Sequence, residues 1–182
     1  MSDESPWPKF KSEVYSFFGR NPRSNRQIDA AADLHKAQSV LDIGCGPGAA
    51  VRAAAYVVKE ATGVDRSEAM IDIARRRSKS HNNVSFVVAG AEELPFPDGS
   101  FDRIWTIHAF HHWEDPAGGI AESLRVLRPG GRFLVIESET KGKHGLSRSG
   151  AETLAGRLRA AGFAEATVSK QYKQLIVTGI AP

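Results

Sequence analysis

Cysteine is nearly absent from this 182-residue chain, which carries Cys45 alone. A single thiol excludes an internal disulfide and any multi-cysteine metal site, so a reducing, cytoplasmic setting is expected. Long apolar runs are missing as well. No stretch approaches the roughly 20 residues that span a bilayer, and the opening MSDESPWPKFKSE lacks a hydrophobic signal core. Neither sign of charge dominates: 24 Lys and Arg against 21 Asp and Glu leave a net +3. That balance permits an anionic substrate without arguing for nucleic acid. The densest basic run, Arg75-Arg76-Arg77-Ser78-Lys79, reads as a solvated helix end, where cations suit the macrodipole. There is no internal repeat and no low-complexity linker.

What is present is an alternation of strand and helix signals from Val40 onward, the pattern of an α/β domain with a mostly parallel sheet. The predicted strands are Val40–Ile43, Thr62–Asp65, Val84–Val88, Phe101–Ile107 and Arg132–Glu137. Two closing strands, Ala166–Ser169 and Gln174–Thr178, form an antiparallel hairpin. Helices are expected over Ala49 to Glu60, after an N-cap at Ser67, after Asp115 with Pro116 in first position, and over Ala151–Ala161 up to Gly162. Ile120, Leu124 and Leu127 form the apolar stripe of the third helix, which Arg128-Pro129-Gly130-Gly131 ends. Before Val40 the chain is polar, interrupted by Pro6, Pro8 and Pro22. Two helical pieces fit there, Lys9–Phe18 and Asn25–His35. Residues 1–38 are thus expected to form a helical lid segment and 39–182 the main domain, one domain overall.

The most informative stretch is Val40-Leu41-Asp42-Ile43-Gly44-Cys45-Gly46-Pro47-Gly48, a short strand collapsing into a glycine-rich turn. Without Cβ atoms the turn leaves room for a nucleotide-like ligand. Gly44, Gly46 and Ala49 also satisfy the G-x-G-x-x-G/A dinucleotide fingerprint, so the glycines alone do not choose the ligand. Asp65, ending the second strand, suits the ribose diol of either nucleotide. Asp42 separates them. A carboxylate two residues before the first glycine repels a pyrophosphate but suits a ligand bearing an ammonium and a sulfonium. Gly48 extends the repeat to G-x-G-x-G, which widens the turn for a tail without phosphate.

Four blocks in this order carry a resemblance: VLDIGCGPG (40–48), GVDRSEAMIDIAR (63–75), AEELPFPDGSFDRIW (91–105) and ESLRVLRPGGRFLVIE (122–137). The chain resembles the class I S-adenosylmethionine-dependent methyltransferases, within them the small-molecule subgroup that includes quinone-biosynthesis C-methyltransferases. The resemblance implies a Rossmann-like, doubly wound, seven-stranded sheet with its last strand antiparallel and helices on both faces. It further implies S-adenosylmethionine as cofactor, S-adenosylhomocysteine as product and a small-molecule acceptor. Asp42, Gly44, Cys45, Gly46 and Gly48 would then line the methionine end. Asp65 would bind the ribose, with Arg66 or Ser67 beside the adenine. Ala91 would offer its N–H to an adenine nitrogen and the side chain of neighbouring Glu92 would reach the amino group. Many relatives carry Asp just before that Ala-Glu pair; here it is Gly90, a loss on the order of 1 kcal/mol of cofactor affinity.

The loop after the fourth strand, which in this fold opens beside the reactive methyl, reads His108-Ala109-Phe110-His111-His112-Trp113. Histidine titrates near neutral pH, which makes His108 and His112 the candidate bases. His108 is also a candidate for cofactor contact without proton transfer, and helix-start packing is the competing role for the whole segment. No further ligand completes a metal site. Cys45 reads as a small residue tolerated near the ligand rather than a nucleophile, and Trp105 and Phe110 as core or acceptor wall. Lys141, Lys143, His144 and Arg148 would either hold an anionic substrate or form a solvated tip. Phe10, Tyr15, Phe17 and Phe18 are the aromatics available to cover the cofactor. The short lid regions leave a sealed pocket to a second subunit, hence a homodimer. Two rival readings stand: a non-catalytic S-adenosylmethionine-binding module, and an NAD-dependent oxidoreductase resting on the glycines.

Overall fold

A computed structural model describes residues 33–34, 37–140 and 145–182. The proposed Lys9–Phe18 helix, the Asn25–His35 helix apart from Asp33 and Leu34, and Phe10, Tyr15, Phe17 and Phe18 lie outside the described residues, as do Lys141, Lys143 and His144. Among the described residues no helix is long and apolar enough to cross a membrane.

Seven strands make one sheet in the order β3-β2-β1-β4-β5-β7-β6. They are β1 (Ser39–Ile43), β2 (Glu60–Asp65), β3 (Val84–Val88), β4 (Phe101–Ile107), β5 (Leu127–Ser138), β6 (Glu165–Gln171) and β7 (Gln174–Ile180). β1 pairs in parallel with β2 and β4 and is buried along its whole length. A strand covered on both faces reads as a continuous apolar run, which SVLDI nearly is. β7 runs antiparallel between β5 and β6, so the expected seven-stranded sheet and closing hairpin are both present.

Alternation along the strands divides the core in two. Ile104, Phe133, Val135, Leu175 and Val177 pack on one face with Ile120, Leu154 and Leu158 from the helices. Trp105, Leu134, Ile136 and Ile176 pack on the other with Val51 and Ile71. Trp105 is fully buried, so it belongs to the core and not to an acceptor wall.

The helices are α1 (Ala49–Ala54), α2 (Glu68–Arg77), α3 (Pro116–Val126) and α4 (Arg148–Ala160). Ser67 caps α2 by accepting from the Met70 N–H at 3.4 Å, and Asp115 caps α3 by accepting from Ala117 N–H at 3.1 Å. Both caps sit where the sequence puts them. α1 does not run on to Glu60 as expected. It stops at Ala54, where the Asn83 amide donates to the Ala55 and Val58 carbonyls at 2.8 and 3.2 Å. Those bonds satisfy carbonyls that a longer helix would have used.

Leu127 is a second correction. It leaves the α3 stripe to begin β5, which therefore runs through Arg128-Pro129-Gly130-Gly131. Proline lacks a donor and Gly130 has φ 72°, so the ladder with β4 shifts register between Phe101 and Arg103.

Candidate functional site

The strand order reverses direction at β1: β2 and β3 lie to one side, β4 and β5 to the other. Open α/β sheets bind ligands at such a switch point, beyond the carboxyl ends of the strands. A cavity of about 350 Å³ sits there. Of the residues singled out from sequence, Gly44, Gly46, Asp65, Arg66, Ser67, Ala91, His108 and His112 line it. Asp42, Cys45, Gly48 and Glu92 are not on its wall.

The turn after β1 is held by its neighbours. Gly44 and Cys45 both donate their N–H to the Val64 carbonyl, at 2.8 and 2.9 Å. Gly44 has φ 75°, and a Cβ there would stand 2.5 Å from the Ala109 Cβ in the loop after β4. The close approach of those two loops requires glycine. Gly44→Ala is expected to cost roughly 2–4 kcal/mol from left-handed strain plus overpacking, read as a lower midpoint in urea denaturation.

Gly48 has a different reason for lacking a side chain. Its φ is 73°, and a Cβ would meet the Phe86 ring at 2.7 Å. It packs α1 against β3 instead of widening the turn toward a ligand.

Asp65 ends β2 with both oxygens engaged by backbone. Oδ2 accepts from Gly46 N–H and Oδ1 from Ser67 N–H, each at 2.9 Å. One lone pair on each oxygen remains for a ligand diol. Burial pushes its carboxyl above the ordinary value, and the two N–H donors oppose that rise.

Asp42 is 2% exposed beneath the turn. Burial pushes its pKa up to about 7; the Asp65 charge adds to this, while the nearby Trp105 indole, whose N–H closes no hydrogen bond of good geometry, opposes it. Burial likewise drives the Cys45 thiol up, reinforced by the Asp42 and Asp65 charges. A thiol so placed stays protonated and is no nucleophile.

Arg66 ties the rim together. Its guanidinium pairs with Glu92 Oε2 at 2.8 Å and with Glu114. Glu92 Oε1 accepts from the N–H groups of Glu114 and Asp115 at 3.1 and 3.2 Å. Burial raises the Glu92 carboxyl, but these donors and Arg66 leave it below the ordinary range. Its side chain is thus committed to bracing three loops. Gly90 fits this arrangement, since a Cβ there would stand 2.9 Å from the Arg66 Nε.

The three histidines divide their tasks. His108 and His112 face the cavity. His111 turns away, its Nδ1 3.1 and 3.2 Å from the two oxygens of Glu137. Arg148 opens α4, pairs with Glu152 at 3.5 Å and lies off the cavity wall. No group of three or more His, Cys, Asp or Glu suited to a metal occurs among the described residues.

Sequence reasoning missed several wall residues. Ile43 and Ile107 end their strands there, Met70 comes from the first turn of α2, and Ala89, Trp113 and Glu114 complete the lining. Trp113 stacks toward Phe133 at 6.2 Å and packs on Gly119, where a Cβ would meet its ring at 2.5 Å. In sequence that glycine pair, Gly118-Gly119 early in a helix, was the available signal for a bulky neighbour.

The family model described as a methyltransferase domain matches residues 41–135. An uncharacterized methyltransferase, YcgJ of Bacillus subtilis, is 36% identical over 142 residues, covering 75% of this chain and 55% of that protein. The demethylmenaquinone methyltransferase of Tropheryma whipplei is 39% identical over 100 residues, covering 55% of this chain and 41% of that one. The chain thus spans about half the length of the curated relatives it matches. Among solved structures, a SAM-dependent methyltransferase from Aquifex aeolicus superposes with a TM-score of 0.79 at 18% identity, over 97% of this chain and 100% of that one.

Proposed function

This chain belongs to the class I S-adenosylmethionine-dependent methyltransferases, and on that premise we propose that it moves the methyl group of S-adenosylmethionine to a small-molecule acceptor. The observation that carries the reading is the cavity at the switch point with the Asp65 carboxylate on its wall and Asp42 buried at the end of the neighbouring strand. A positively charged ligand is favoured beside them, and a diphosphate is not.

The donor set fits S-adenosylmethionine. Gly44 and Gly46 bring bare backbone to the cavity, and Asp65 keeps acceptor capacity for two hydroxyls. The cationic side chain on the wall, Arg66, is already paired with Glu92 and Glu114, so it offers a pyrophosphate little. Met70, Ile43 and Ala91 supply apolar surface for a purine. When bound, the sulfonium supplies the electrophilic methyl carbon.

The protein's part is positioning and the exclusion of water. Asp65 would orient the ribose, Arg66 and Ala91 would flank the adenine, and Asp42 would act on the ammonium end through the low dielectric beneath the turn. His108 and His112, from the loop after β4, would face the acceptor. The name of the relative that acts on demethylmenaquinone supports an acceptor of metabolite size. A homodimer that completes the acceptor side belongs to the same proposal.

Calorimetry with two ligands tests this. S-Adenosylhomocysteine is expected to bind at micromolar concentration or tighter and NAD(H) not at all. Tight NAD(H) binding without response to S-adenosylhomocysteine would overturn the reading. A panel of phenol, amine and carboxylate acceptors then separates an enzyme from a binding module, through release of S-adenosylhomocysteine from S-adenosylmethionine.

A further inference from the structure

Glu137 is the penultimate residue of β5, 1% exposed, and its carboxylate meets two imidazoles instead of a lysine or arginine. His111 Nδ1 lies 3.1 Å from Oε1, and His108 Nδ1 lies 3.7 Å from Oε2. Burial, the largest influence, pushes this carboxyl up, yet the combined histidine contacts leave it below the ordinary range. A buried carboxylate kept ionised has a strong demand for N–H donors.

His108 carries two further marks. Its φ is 53°, a left-handed backbone in a residue other than glycine, held by its N–H bond to the Ile136 carbonyl at 2.9 Å. Strained backbone of this kind persists where the surroundings over-determine it, often at functional sites. Its Nε2 lies 3.0 Å from the Gln174 Nε2, reached from β7. Meanwhile Gln174 Oε1 is buried with no partner. Nitrogen meeting nitrogen pairs only with a lone pair at the ring's Nε2, whereas the amide turned over would take an Nε2–H on its oxygen. The carboxylate facing Nδ1 decides between them: proton on Nδ1, lone pair on Nε2.

We propose that Glu137 is a positioning residue that holds His108 in this tautomer, so that Nε2 accepts the proton of a hydroxyl acceptor, a phenol, enol or alcohol, at the cavity wall. The proposal rests on the methyltransferase reading. His108 Nε2 takes the hydroxyl proton as the acceptor oxygen bonds to the methyl carbon. The sulfonium S–C bond breaks with its electron pair left on sulfur. The positive charge lost at sulfur reappears on the His108 ring, beside Glu137. A neutral amine is already nucleophilic and a carboxylate needs no base, so a lone pair prepared in this way selects a hydroxyl. Gln174 fills the donor's place until an acceptor O–H replaces it.

Long-range proton–nitrogen NMR on the 15N-labelled full chain reads the tautomer of each ring. His108 is expected as a single Nδ1–H form in the wild type. In Glu137→Met that form is expected to be lost in favour of Nε2–H, while in Gln174→Leu it persists. A wild-type Nε2–H form, with the Gln174 oxygen accepting, would overturn the proposal, as would a tautomer unmoved in a folded Glu137→Met. The wild-type and Gln174→Leu spectra decide the matter if Glu137→Met does not fold.

The acceptor class is read with 4-nitrophenol, whose ionised form is coloured, added to the S-adenosylhomocysteine-loaded chain below the probe's own ionisation. Phenolate colour is expected in the wild type and not in His108→Ala; equal absence in both overturns the hydroxyl assignment. Calorimetry closes the set: S-adenosylhomocysteine affinity is expected to change less than about threefold in Glu137→Met and Gln174→Leu. Its failure to bind the wild type strikes the methyltransferase reading and leaves the tautomer result standing.

Discussion

Asp42→Asn is expected to stabilise the ligand-free chain at neutral pH, by up to about 4 kcal/mol, and to weaken binding of a cationic cofactor. Burial holds the Asp42 carboxyl at about 7 against an ordinary 3.8. Below about pH 4 both folded and unfolded chains keep the proton, and nothing is lost. As pH rises from there toward 7, the unfolded chain releases a proton that the folded chain retains, so stability falls, and it levels off above 7. About three pKa units at roughly 1.4 kcal/mol each give the figure. Asparagine carries no such charge and flattens that contribution. Urea denaturation at about pH 5 and about pH 8 checks it: the wild-type loss between the two is expected to shrink markedly in the variant. An identical pH dependence in both chains would place the penalty on another group.

The same substitution bears on the ligand. An ammonium near the turn favours the ionised carboxylate, so binding near neutral pH is expected to release a fraction of a proton. Calorimetric heats that vary with the buffer's ionisation enthalpy report that release in the wild type, and the variation should diminish in Asp42→Asn. Affinity for S-adenosylmethionine is expected to drop by about tenfold or more. The instability of the empty chain and the affinity for the filled one thus have one source, a desolvated charge awaiting its counter-charge.

Asp65→Ala is expected to weaken S-adenosylhomocysteine binding by roughly 1.5–3 kcal/mol, since charge-assisted hydrogen bonds to the ribose diol disappear. The substitution also releases the Gly46 and Ser67 N–H groups from their 2.9 Å bonds. The turn after β1 and the entry to α2 lose their common anchor. Asp65→Asn separates the two effects: its carbonyl oxygen keeps one backbone bond, so turn geometry suffers less than ligand affinity. Calorimetry on both variants, with thermal melts alongside, makes the comparison. Unchanged affinity in Asp65→Ala would put the ribose elsewhere.

Much of the fold was legible because its signals are local. Ser67 and Asp115 each cap their helix from the residue just before it, and short polar side chains at those places announce a helix start. The β1 run followed by closely spaced glycines could only be a strand and a turn. Where expectation failed, a distant partner intervened. α1 ends six residues early because Asn83, arriving from the approach to β3, takes its carbonyls. β5 begins early because β4 and the chain end pair with Leu127 through Gly131.

The candidate site divides along the same line. That Gly44, Gly46 and Asp65 belong to one site was expected from spacing and residue type, and all three line the cavity; the family was legible through the resemblance of four blocks. That Gly48 packs on Phe86, that Glu92 braces Arg66, and that Asp42 lies beneath the wall depended on packing between separate elements. The largest difference is among the histidines. Sequence set His108 and His112 apart from His111 only by their place in the loop. Tertiary structure brought Glu137 to His108 and His111, and Gln174, 66 residues away, to His108. Capping, turn chemistry and hydrophobic period depend on neighbours along the chain and can be read from it. Desolvation, ring tautomer and close approach depend on neighbours in space, and only the folded sheet decides who those are.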